Sequence, residues 1–259
     1  MEVGAQLLRS PSPLLQTPDS IPMVLWARTA VILAWVVVAT LVLGLLTIAL
    51  SLSASTAHAV HRVARAWGRS ILSVSGVRVL VRGMEQIDPT SAFIFMSNHQ
   101  SNYDIPVLLG HLPVPFRWLA KAELFKIPIF GRAMRGAGYI PIDRADRPAA
   151  IESLRQAAGA VRRGVSVVIF PEGTRSLDGM LKPFKKGGFV MAIEAGIPIV
   201  PVALRGTFDI MPKNRLMIRP RDVTMTIGEP IATTGYRIHT KEALMDEVRN
   251  ALYRQLTAA

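Results

Sequence analysis

The chain has no cysteine among its 259 residues. That excludes a disulfide framework and any thiolate metal site, and leaves the redox compartment unread. Its five histidines, at positions 58, 61, 99, 111 and 239, form no H-E-x-x-H or comparable ligand spacing, so no catalytic metal is expected. No internal repeat of roughly 20–50 residues is visible. The chain carries no RNA-binding aromatic signature and no C-x-x-C finger, and no G-x-S-x-G nucleophile elbow. Acidic residues are few: 18 Asp and Glu against 30 Lys and Arg, a formal charge of +12 on a chain that is 50% apolar. A chain both basic and hydrophobic suits either nucleic acid or an anionic membrane surface. Its length suffices for one large α/β domain with an appendage.

Charge is missing altogether from Thr29 to Ala57, and Ala30 to Leu50 is almost wholly aliphatic. This exceeds the ~20 residues needed to cross a bilayer. A buried core helix is rarely so long or so apolar on every side. Ala57-His58-Ala59 resembles a signal-peptide cleavage site, but the apolar stretch is too long for one, and the region before it is long and carries Asp19. In the next segment Val60, Val63, Ala64, Trp67, Ile71 and Val74 recur at helical spacing, with His58, His61, Arg62, Arg65 and Arg69 largely on the other face. That pattern suits a basic amphipathic helix lying among lipid headgroups, or an ordinary surface helix with a solvated charged face. No acid occurs between Arg62 and Arg82, so the positive-inside rule puts this side, and the rest of the chain, in the cytoplasm. The expected organisation is a membrane-anchoring unit over 1–75, with an apolar segment at 23–52 and a basic amphipathic helix at 58–75, followed by a catalytic domain over 76–259. Hydropathy leaves open whether 23–52 spans the bilayer or enters one leaflet.

After Gly76 the pattern changes. Val77, Val79 and Val81 alternate with arginines, and further strands are expected at 92–97, 116–120, 138–142, 165–170, 198–204 and 223–227. Helical stretches fall at 148–163, 186–195 and 240–257. Strands alternating with helices predict an α/β fold: a mixed, largely parallel sheet flanked by helices.

Three polar clusters interrupt this body. Asn98-His99-Gln100-Ser101-Asn102-Tyr103-Asp104 follows the apolar run Ala92–Met96, the place where α/β folds build sites. Histidine exchanges protons near neutral pH, and an acidic neighbour fixes its tautomer. A five-residue offset on a regular helix sets two side chains about 140° apart, so His99 and Asp104 meet only if the segment is a turn entering a helix. Asn98, Ser101, Asn102 and Asp104 favour turns and N-caps, and Pro106 fits a first helical turn. A solvated polar loop is the alternative. Pro171-Glu172-Gly173-Thr174-Arg175-Ser176, followed by Lys182, Lys185 and Lys186, combines a flexible glycine, hydroxyl donors and a guanidinium fork suited to an oxyanion. A surface turn with solvated charges has the same composition. Between the two, Lys121 and Arg144 sit near expected strand ends, where they are either site cations or free surface charges.

Together the clusters resemble the 1-acylglycerol-3-phosphate acyltransferases of the phospholipid acyltransferase family. Asn98, His99, Ser101 and Asp104 fit their N-H-x-S-x-x-D motif. Lys121, Leu124, Pro128, Gly131, Ile142 and Arg144 fit the second region, Phe170 through Ser176 the F-P-E-G-T-R-S motif, and Val200-Pro201-Val202 the fourth. The resemblance implies transfer of an acyl chain from a thioester to the sn-2 hydroxyl of lysophosphatidic acid, giving phosphatidic acid in phospholipid biosynthesis. It implies His99 as general base and Asp104 as its orienting partner, with Lys121, Arg144 and Arg175 taking the substrate phosphate. Glu172 and Gly173 would shape the glycerol end, Glu172 positioning Arg175 or a substrate hydroxyl, and Thr174 would add a donor. No cofactor is implied. The donor is acyl-CoA or acyl carrier protein, the expected partner is a phospholipid surface rather than nucleic acid, and the expected location is the cell inner membrane with the catalytic domain cytoplasmic. Another lyso-lipid acceptor such as a lyso-ornithine lipid, hydrolysis by the same histidine, and a membrane-anchored binding module without catalysis are the competing readings.

Overall fold

The structure is a computed structural model that describes residues 23–52 and 57–258. Residues 1–22 of the expected anchoring unit, with Asp19, lie outside the described residues. Seven strands form one sheet: β1 (Val79–Arg82), β2 (Ile94–Ser97), β3 (Phe116–Lys121), β4 (Ile140–Ile142), β5 (Ser166–Ile169), β6 (Ile199–Arg205) and β7 (Val223–Ile227). Their order is β1-β7-β6-β2-β5-β3-β4, parallel throughout except for the antiparallel β6–β7 pair. The sheet is therefore mixed and largely parallel, as the strand–helix alternation predicts. Each of the seven expected strands is present, with ends shifted by up to two residues.

The central strands carry near-continuous apolar runs because helices cover both faces. Every residue of β2 and β5 is buried. Successive side chains point to opposite faces. Phe95, Val168, Val200 and Val202 thus join one apolar core, while Ile94, Met96, Val167 and Ile169 join the other. Helices α1 (Met23–Ser51), α2 (Ala57–Ser75) and α3 (Asp104–His111) contribute to the first core. Helices α5 (Arg147–Arg162), α6 (Gly187–Ala195) and α8 (Lys241–Thr257) close the second. Asp146 starts α5 by accepting from the Ala149 amide at 3.0 Å, with Pro148 in the first turn. Two short helices, α4 (Phe130–Gly136) and α7 (Thr207–Ile210), are too brief for sequence periodicity to reveal.

Helix α1 is long and apolar enough to cross a membrane by length and composition. One stripe is small or polar and faces protein: Thr29, Ile32, Ala39, Gly44 and Thr47 are buried. Thr29 bonds the Ile218 amide at 3.2 Å, Trp67 Nε1 donates to Thr40 at 3.0 Å, and Gly44 faces Ile129 of the chain entering α4. Val31, Val37, Val38, Val42 and Leu45 stand exposed on the other side. The helix thus lies against the body along its length.

Helix α2 departs from the expected face assignment. It is sandwiched between α1 and α3, so its buried stripe is wider than its apolar stripe. Gly68 allows the approach to α3, where a Cβ would stand 2.8 Å from the Pro106 carbonyl oxygen. Val74, expected on the apolar face, is 37% exposed. His61, expected on the polar face, is 4% exposed and lies edge-on to Phe116 at 5.1 Å, with neither ring nitrogen hydrogen-bonded. Arg65 donates to the Leu112 carbonyl and Arg69 to that of Gly110.

Burial, and then the nearby charges of Arg65, Arg117 and His58, push the His61 imidazole down to about 4. A depressed folded pKa means its stability contribution is whole above the ordinary histidine value of ~6.5 and is lost as pH falls through about 4. Detergent-solubilised protein should therefore lose up to about 3 kcal/mol between pH 7 and 4 from this group. His61→Phe should remove that part of the slope in thermal unfolding across the range; an unchanged slope would show that His61 does not supply it.

Candidate active site

The sheet brings the polar clusters to one edge. Strands β6, β2, β5, β3 and β4 run parallel and adjacent, so the loops leaving their C-terminal ends share a crevice, where open α/β sheets bind ligands. His99 follows β2, Glu172–Ser176 follow β5, Lys121 ends β3 and Arg144 follows β4.

Asp104 is the first residue of α3, and the chain before it curls back so that the five-residue spacing closes. Its Oδ2 accepts from His99 Nδ1 at 2.8 Å, from the Gln100 amide at 2.8 Å and from the Ser101 amide at 2.9 Å. The carboxylate is fully buried, whereas the His99 side chain keeps 16% exposure. A buried carboxylate needs such donors and favours a helix N-terminus. With Nδ1–H donating to this carboxylate, Nε2 carries the free lone pair. Phe170 stacks on the His99 ring at 3.9 Å and 11°, and Trp118 backs Phe170 at 5.5 Å. Carboxylate at the edge and phenyl on the face leave the imidazole little freedom.

The surrounding loops are tied to this turn. Asn98 exchanges hydrogen bonds with the Leu204 backbone, its Nδ2 donating to the carbonyl and its Oδ1 accepting from the amide. Ser101 Oγ donates to the Met211 carbonyl at 2.9 Å. The Ser176 amide donates to the His99 carbonyl at 2.7 Å.

The predicted ligand residues fare differently. Glu172 is 2% exposed; its Oε1 accepts from the His99 amide at 2.7 Å and its Oε2 from the Lys182 amide at 2.9 Å. Both oxygens accept from backbone amides, so Glu172, expected to position Arg175 or a substrate hydroxyl, joins the His99 turn to the Lys182 segment and makes no hydrogen bond or ion pair with Arg175 among the described residues. Burial pushes its carboxyl up to about 7, against the pull of those two amides. Gly173 adopts φ +73°, a left-handed conformation glycine enters without strain, and its carbonyl accepts from Arg144. Thr174 is exposed and accepts from Lys213 Nζ at 3.3 Å. Arg175 is half-buried and makes no hydrogen bond or ion pair among the described residues, leaving its guanidinium available. Lys121 is exposed and paired with Glu123 at 3.0 Å, on the flank of the crevice.

Sequence reasoning missed the Phe170 stack and Lys213. Phe170 stood inside a motif, but a ring-on-ring contact between strand β5's end and the β2 turn has no sequence spacing. Among the described residues no cluster of three or more histidine or acidic side chains could hold a metal.

Residues 78–205 match the acyltransferase family model. A chloroplastic 1-acyl-sn-glycerol-3-phosphate acyltransferase of Brassica napus is 36% identical over 194 residues, covering 74% of this chain and 54% of that one. The chain thus spans about half the length of that relative. A 1-acyl-sn-glycerol-3-phosphate acyltransferase of Limnanthes douglasii is 31% identical over 193 residues, covering 74% of this chain and 68% of the relative. The crystal structure of the 1-acyl-sn-glycerophosphate acyltransferase of Thermotoga maritima superposes with a TM-score of 0.77 at 29% identity, covering 89% of this chain and 93% of that one. With the motif turn, the sheet order and these likenesses in agreement, the chain belongs to the acyltransferase family of the 1-acyl-sn-glycerol-3-phosphate acyltransferases.

Proposed function

We propose that this chain transfers an acyl group from a thioester, acyl-CoA or acyl carrier protein, to the sn-2 hydroxyl of lysophosphatidic acid, forming phosphatidic acid. The observation that carries this reading is His99 held through Nδ1 by a buried Asp104 at 2.8 Å, with its other nitrogen free. His99 Nε2 takes the hydroxyl proton as the oxygen attacks the thioester carbonyl. The tetrahedral intermediate expels the thiolate, which receives the proton from the imidazolium. Asp104 stabilises the charged ring meanwhile. No acyl-enzyme is needed, and no cofactor takes part. Arg175, Arg144 and Lys121 are the cations offered to the acceptor phosphate, with Gly173 and Thr174 shaping the loop that carries Arg175. Glu172 supports the site by fixing the His99 turn.

The exposed apolar face of α1 supports attachment to a bilayer; in this reading the bilayer is the inner membrane, with the catalytic unit on its cytoplasmic side. Because the opposite face packs on α2 and α4 along its length, a helix lying in one leaflet fits the protein better than one that carries the chain across. The catalytic unit, residues 76–259, then meets lipid directly, and neither lysolipid nor acyl chain has to pass through water.

His99→Ala should lower thioester-dependent acylation by about 10²–10⁴-fold in purified, lipid-supplemented protein; near wild-type turnover would remove His99 as the base. Product mass separates phosphatidic acid from the free fatty acid that hydrolysis would release. Arg175→Ala should cost about tenfold or more with lysophosphatidic acid and little with the corresponding monoacylglycerol; equal losses on both acceptors would argue against phosphate contact. Val38→Glu with Val42→Glu, both on the exposed face of α1, should shift the protein from the vesicle-bound to the unbound fraction in flotation.

A further inference from the structure

The loop that returns the chain from α7 brings a cation to the site that no motif contains. Met211 accepts from Ser101 Oγ at 2.9 Å, and Pro212 forms a bridge with Ser101, so this loop is fastened to the same turn that carries His99. Beyond that anchor, the Arg215 amide donates to the Pro212 carbonyl at 3.1 Å, and Asn214 takes φ +65°, a left-handed state that asparagine tolerates better than most residues. Lys213 therefore stands at the first corner of a tight turn whose base is fixed, with its Nζ 3.3 Å from Thr174 Oγ1.

Of the other cations near the Glu172–Ser176 loop, Arg175 makes no hydrogen bond or ion pair among the described residues, and three are committed. Lys121 pairs with Glu123 at 3.0 Å and Lys186 with Glu242 at 3.0 Å. Arg144 donates to the Gly173 carbonyl. Among the described residues, the only partner of the Lys213 ammonium is a neutral hydroxyl. By donating to Oγ1, it leaves the Thr174 hydroxyl proton free to point outward and makes that O–H a better donor. An ammonium and a polarised hydroxyl side by side, with no carboxylate between them, suit an oxyanion. Arg144 and Lys213 hold adjacent residues, 173 and 174, of the same loop.

We propose that Lys213, with the Thr174 hydroxyl, binds the phosphate monoester of the acceptor and sets the preference for phosphorylated over unphosphorylated lyso-lipid. This rests on the proposed acyl transfer and specifies which groups read the acceptor. The full chain is compared as wild type, Lys213→Gln and Lys213→Arg in two assays. In the first, acylation of 1-acylglycerol 3-phosphate and of the matching monoacylglycerol is followed under identical vesicle conditions. Lys213→Gln should lose about tenfold in kcat/KM on the phosphorylated acceptor, mainly through KM, and retain its rate on the other; Lys213→Arg should recover most of the loss. In the second, binding of 1-acylglycerol 3-phosphate in phosphatidylcholine vesicles is measured without a donor. Equal losses on both acceptors, or wild-type binding by Lys213→Gln, would overturn the role of Lys213. Tighter wild-type than Lys213→Gln binding without turnover would keep Lys213 and remove the reaction. Neither binding nor turnover by the wild type would remove both.

Discussion

A single carboxylate oxygen organises the site. Asp104 Oδ2 accepts from the His99 ring and from two consecutive backbone amides, and hydrogen bonds to a charged group contribute roughly 1.5–3 kcal/mol each. These bonds do two jobs at once. They give donors to one oxygen of a group that is otherwise costly to bury, Oδ1 being buried without a partner among the described residues, and they force residues 99–104 into the turn that lets a histidine and an aspartate five apart meet. Phe170 then closes the remaining freedom of the ring from its face. The rest of the crevice is fastened to this turn: Ser101 to the 211–213 loop, the His99 carbonyl to Ser176, and the His99 amide to Glu172.

Glu172 is an acid whose two oxygens are both taken up by backbone amides, those of His99 and Lys182. With both oxygens on amides and the group buried beside the His99 turn, it works as a brace, and the loop beyond it carries Arg175, half-buried and unpaired among the described residues. The cations are distributed in the same spirit. Some are neutralised locally and some hold carbonyls, which leaves few with charge to spare.

The membrane side follows from another constraint. Helix α1 is apolar nearly all round, yet only one stripe packs on protein, and that stripe is rich in small and hydroxyl residues. Such residues let helices approach closely and hydrogen-bond at Thr29 and Thr40. The larger aliphatic side chains are left facing outward, where lipid can cover them.

Much of this was legible in the sequence. Apolar or alternating runs set off by polar turns located all seven strands, and the motifs named the residues at the strand ends, because strand burial and turn chemistry are local. The family, the pairing of His99 with Asp104 and the amphipathic α2 could also be read there. Helix α2's true buried face could not be read, since it depends on being covered from two sides, which put His61 inside. The destination of Glu172's oxygens depends on the Lys182 segment, ten residues away along the chain. Lys213 lies outside every motif and meets Thr174 only because β6 lies beside β2 in the sheet. Local pattern thus determined which residues are strands, turns and candidate acids, bases and cations. The sheet order and loop fastening, which depend on contacts from about twenty to more than a hundred residues apart, decided which of them meet.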